Sequence, residues 1–117
     1  MIYDTHIFII VGIAILLDIA TGFTQALYNK TVSSEKMRSG VYHKLSYLFA
    51  VALAYYIEHA MSYLDLGYTM PLVLPVCTYI VATELISIIE NLKQLNPELK
   101  NSGIFKLLSS KKDKDNE

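Results

Sequence analysis

Hydrophobic and polar positions divide this chain into three long apolar blocks joined by two unlike connections. The first block covers residues 7–28, and its one charged residue is Asp18, near the centre. As a helix rising 1.5 Å per residue it reaches roughly 33 Å, enough to cross the ~30 Å hydrocarbon core of a bilayer. The second block, residues 45–66, is cleanly apolar to Ile57 and then carries Glu58, His59, Ser62 and Asp65. The third, residues 70–92, opens on Met70-Pro71 and holds Pro75, Thr83, Glu84, Ser87, Glu90 and Asn91. Pro71 suits a first helical turn, whereas Pro75 should leave one backbone carbonyl unpaired and bend the helix. The pattern predicts an all-α integral membrane protein with three transmembrane helices. Residues 1–92 form the membrane domain and residues 93–117 a basic, cytoplasmic tail.

The two connections differ in charge, and that difference predicts topology. Residues 29–44 carry Lys30, Lys36, Arg38 and Lys44 against Glu35 alone. Gly67-Tyr68-Thr69 carries no base. All ten Lys and Arg fall either in residues 29–44 or in the tail after residue 92. With three spans those two regions share a side, and the positive-inside rule makes it the cytoplasm, so the N-terminus is out and the C-terminus in. If the second block did not cross, the two basic regions would lie on opposite sides, so the charge pattern favours it as a span. Tyr28, Tyr42, Tyr47, Tyr63 and Tyr68 fit an interfacial belt. Ser33 and Ser34 suit the N-cap of a short interfacial helix that Gly40 ends. Asn96-Pro97 is expected to break the third helix, residues 103–108 to touch the membrane surface, and residues 109–117 to form a solvated, disordered end. The opening MIYDTH lacks the basic region of a cleavable signal.

Hydrophobic residues make up 53% of 117 positions, more than a soluble domain of this size could bury in three such blocks, which excludes a soluble enzyme. The polar residues inside the blocks are therefore the informative ones. Asp18, Thr21, Gly22, Gln25 and Asn29 share one helical face. Ala50, Ala54, Glu58, Ser62 and Asp65 share another, as do Thr83, Glu84, Ser87, Glu90 and Asn91. A charged side chain at the bilayer centre costs about 3 kcal/mol on insertion scales, so each stripe should face another helix, water or another copy of the chain. Gly22-xxx-Ala26 and Ala50-xxx-Ala54 would let helices approach closely. Lys44 and Glu90 lie at the cytoplasmic ends of the second and third blocks and could pair.

Two readings of the stripes stand. In one they are static, with the acids neutral or paired inside a compact three-helix monomer. In the other they line a water-filled path or switch between packed and open assemblies. Three helices are too few to enclose a wide path, so that reading requires a homo-oligomer. Nothing points to catalysis, a cofactor, nucleic acid or a metal. HExxH is absent, His6, His43 and His59 lack ligand spacing, and His59 reads as interfacial. No Ser/His/Asp grouping or glycine-rich phosphate loop occurs. Cys77 is the only cysteine, so an intramolecular disulfide is impossible. Asn29-Lys30-Thr31 is a weak glycosylation sequon on the expected cytoplasmic side.

Two stretches carry a resemblance. Asp18-Ile-Ala-Thr-Gly22, then Asn29, then Ser33-Ser34-Glu-Lys-Met-Arg-Ser-Gly40 and Lys44 resemble the first half of the toxin-secretion/phage-lysis holin family. Thr83-Glu84-Leu-Ile-Ser87-Ile-Ile-Glu90-Asn91 resembles that family's second signature, in the last span. Together they cover about a third of the chain, in the family's order. The resemblance implies a small phage or prophage protein, multi-pass in the bacterial inner membrane, without enzymatic activity or cofactor. It would oligomerise and open lesions that release an endolysin, or in some relatives a large toxin, without having to touch that cargo. By position, Asp18, Gly22, Asn29, Gly40, Lys44, Glu84, Ser87, Glu90 and Asn91 carry the pattern. The alternatives are a small oligomeric ion or solute channel, and a holin antagonist or non-conducting scaffold.

Overall fold

The computed structural model describes residues 5–101 and 103. They form three α-helices: α1 (His6–Tyr28), α2 (Ser34–Leu64) and α3 (Val73–Leu95), followed by a 3-10 turn at Pro97–Asn101. No strand occurs among the described residues. The expected surface contact at residues 103–108 lies almost wholly outside them, and the expected disordered end at 109–117 entirely so.

α1 ends in a closed cap. Lys30 takes the left-handed conformation with φ 56°. Its N–H donates to Leu27 O at 3.3 Å and that of Thr31 to Ala26 O at 2.8 Å. This crossed pair of bonds satisfies carbonyls that a helix end otherwise leaves open. The chain then reverses within a few residues. Ser33 is extended, and its side chain accepts from the Lys36 N–H at 3.3 Å, so it caps α2; Glu35 in the first turn complements the helix dipole.

α2 departs from the sequence expectation. Residues 34–44 are not a loop with a short helix ended by Gly40. They are the first third of one 31-residue helix, roughly 46 Å long. One glycine inside a helix costs only about 1 kcal/mol relative to alanine. An interruption there would instead leave two more sets of unpaired backbone groups. α2 ends where Asp65 turns left-handed, at φ 49°, ahead of Gly67 at φ 81°. α3 starts at Val73, later than residue 70, and stops where Asn96 becomes extended before Pro97. Pro75 therefore falls in the first turn, whose N–H groups have no helical partner, and it breaks no ladder bond.

α1 packs chiefly on α3, and α2 also lies against α3. Asp18 faces Glu84 and Thr21 faces Asn91, so α1 and α3 run in the same direction. Lys44 meets Glu84 while Glu58 meets Leu72, so α2 runs the opposite way. The apolar core joins Val11 and Ile15 of α1, Tyr47 and Ala54 of α2, and Val73, Cys77 and Ile80 of α3. Much of the large apolar surface points outward, including Leu16 and Phe23 on α1, Phe49 and Leu53 on α2, and Leu85 on α3. Among the described residues, the charged side chains of Asp18, Glu58, Glu84 and Lys93 are buried. Acids within and leucines without is the arrangement that hydrocarbon solvent favours. By length and composition, α1 and α3 are each apolar enough to cross a membrane.

Candidate functional site

The three helices meet at a charged cluster. α1 presents Asp18, α2 presents Lys44 and α3 presents Glu84. Lys44 Nζ donates to Asp18 Oδ2 at 2.5 Å and to Glu84 Oε1 and Oε2 at 2.9 and 2.6 Å. Glu84 is 1% exposed and Asp18 9%. Asn91 extends the cluster by two turns of α3. Its Nδ2 donates to Asp18 Oδ1 at 3.2 Å and Thr21 Oγ1 at 3.0 Å, with a longer contact to Asp18 O. Ser87 also faces Asp18. Gly22 lies against this contact, and a Cβ there would meet Asn91 Nδ2 at 3.4 Å, an ordinary van der Waals distance.

Helical spacing explains the convergence. Asp18, Thr21 and Gly22 occupy one face of α1, and Glu84, Ser87 and Asn91 one face of α3. In α2, Gly40, Lys44, Tyr47, Val51, Ala54 and Glu58 follow alternating steps of four and three, which is also a single face. That series begins inside the stretch expected to be a loop. Once the helix is extended back to Ser34, the same spacing points Lys44 inward.

One ammonium thus serves two carboxylates. Burying such charges is expensive, and the cost is offset only while the groups remain together and hydrogen-bonded. With all three ionised the cluster has a formal charge of −1, so it cannot be neutral unless it also holds a proton. Its geometry suits a clasp between helices. Among the described residues, no group of His, Cys, Asp and Glu is arranged to hold a metal ion.

The other expected residues are dispersed. Lys44 meets Asp18 and Glu84 rather than Glu90, and it belongs to the helix interface, not to a basic loop. Glu90 is half-buried, 3.9 Å from Lys93 Nζ on its own helix. Gln25 bonds Asn29 Nδ2 at 3.1 Å, at the edge of α1. Ala54 is buried, but Ala50 is exposed because it lies off the Tyr47–Val51–Ala54–Glu58 face. Ser62 is exposed near the end of α2. Ala26 is half-buried beside the α1–α2 turn, and Lys30, Lys36 and Arg38 are exposed around that turn. Glu58 stands far from the cluster, where its Oε1 accepts from the N–H groups of Leu72 and Val73 at 2.8 and 3.3 Å. It caps α3 from α2, a role with no local signal because its partners are backbone groups of a distant segment.

No curated protein and no solved structure matches the chain. Residues 3–106 match the bacteriophage holin family, which is not a known enzyme family. A match of that extent, on a helical protein with two membrane-length apolar helices and acids turned inward, makes this chain a membrane protein that belongs to the bacteriophage holin family.

Proposed function

We propose that this chain is a holin that homo-oligomerises in the bacterial inner membrane and opens lesions through which an endolysin, or a comparable large cargo, leaves the cytoplasm. All three helices cross the bilayer, with the N-terminus outside and the C-terminus inside. α2 crosses despite Lys44 and Glu58 because its neighbours satisfy both. The packed chain is the waiting state. Its charges are turned inward and its large apolar side chains face lipid.

The Asp18–Lys44–Glu84 bridge carries this reading, since it is the contact that must part before polar faces can line water. As copies accumulate, exchange of helix partners lets the faces of several chains converge on a widening aqueous ring. A membrane potential acts at about 2.3 kcal/mol per charge per 100 mV on charges within the field. Collapse of the potential would therefore bias an ionised cluster between the two states.

The test is inducible expression beside a cytoplasmic endolysin that lacks its own export signal. Abrupt lysis after a delay, advanced by an energy poison, is the expected result. Ion leakage without lysis would instead assign a small channel. Delay of another holin's lysis on co-expression would assign an antagonist.

A further inference from the structure

Beside the charged cluster, the C-terminal half of α1 and the first turns of α2 diverge around a cleft of about 300 Å³. Its walls are apolar, formed by Ile19, Phe23 and Ala26 on α1 and Met37 and Val41 on α2. At the end where α1 turns into α2, the lining becomes polar with Thr31, Ser33 and Lys36. Lys36 is exposed and enters no ion pair among the described residues. The Ser33 oxygen accepts from the Lys36 N–H, which leaves its own O–H to donate. Asp18 and Lys44 also line the cleft, where they pair with each other, and the Lys44 ammonium is held by Glu84 as well. The free charge at this end is thus basic, Lys30, Lys36 and Arg38 against Glu35.

We propose that this cleft seats one anionic phospholipid, with part of an acyl chain between α1 and α2 and the phosphate against Lys36, Thr31 and Ser33. The proposal rests on the membrane orientation given above, which puts this end at the cytoplasmic interface. An apolar slot at that depth is filled by hydrocarbon, and donors at its mouth meet headgroups. The basic excess selects an anionic headgroup, as basic pockets between membrane helices do. A volume of about 300 Å³ is at the small end of ligand sites, so the site holds one segment of chain and leaves the rest in the bilayer. A second copy of this surface would bring the same positive charge and is disfavoured as the occupant.

Native mass spectrometry of the full chain in detergent tests this, using phosphatidylglycerol and phosphatidylcholine with identical acyl chains. One phosphatidylglycerol should be retained per chain, about fivefold more tightly than phosphatidylcholine, the weight of one lysine at an anionic surface. Lys36→Gln should abolish the preference. Ala26→Phe should reduce retention of both lipids, and inorganic phosphate should not displace the bound one. Equal retention of the two lipids, or a preference that survives Lys36→Gln, overturns the proposal. So does an Ala26→Phe chain that keeps its lipid and loses a dimer, which would give the cleft to a second copy. Lys36 is exposed, so its substitution remains informative if Ala26→Phe misfolds. Lysis is measured separately. Lipid selectivity without lysis would overturn the holin reading alone, and lysis without selectivity would overturn the lipid site alone.

Discussion

Among the carboxylates buried between helices, Glu84 and Glu58 hold the fold in different ways. Glu84 faces a side chain, Lys44, which it shares with Asp18. Glu58 faces backbone, accepting from the first N–H groups of α3. Backbone donors at a helix start stay in place for as long as the helix does, whereas a lysine at the end of a flexible stem can be withdrawn. On the holin reading proposed above, the Glu58 end is the permanent joint and the Glu84 end the releasable one, the end that changes state.

Removal of one charge at the releasable end should have the largest effect. Lys44→Met leaves two buried acids without their cation and should cost about 3–5 kcal/mol, read from thermal unfolding in detergent. Adding Asp18→Asn and Glu84→Gln to it should recover most of that loss, because the penalty comes from unpaired charge. Asp18→Asn alone should leave membrane insertion intact and shift the time of lysis. Unchanged timing would show that the Asp18 charge takes no part in triggering.

The permanent joint should respond more mildly and without a change of timing. Glu58→Ala removes a cap and should cost about 1–2 kcal/mol in the same unfolding experiment. Glu58→Gln keeps an acceptor oxygen and should lie close to the parent. A timing shift from Glu58→Ala as large as that from Asp18→Asn would erase the distinction between the two ends. The smallest effect is expected at the α1–α2 turn. Lys30→Gly relieves a left-handed backbone and should stabilise by about 0.5–1 kcal/mol, raising the unfolding temperature slightly.

How far the sequence could be read tracks the same division. α1 and α3 were legible because their apolar runs are long and the end of α3 is marked by Asn96-Pro97. That Asp18 and Glu84 turn away from lipid was legible because hydrocarbon surroundings leave an acid little choice, but the choice between helix and water was not. The start of α2 was not, because Ser34 to Lys44 is polar enough to pass for a loop and Gly40 imitates a stop. Lys44 consequently looked like one of several topological charges, although its spacing to Tyr47, Val51, Ala54 and Glu58 marks it as inward. The role of Glu58 depends on where Leu72 and Val73 come to rest, which only tertiary structure determines.

Cys77 is fully enclosed in the core against α1 and α2, and it is the chain's only thiol. Its enclosure makes it a built-in clock. A membrane-permeant maleimide should find it shut away in every waiting molecule and reactive in every one whose parted helices expose it to water. Labelling over time in living cells would then record how long before lysis the first molecules let go, with no residue changed.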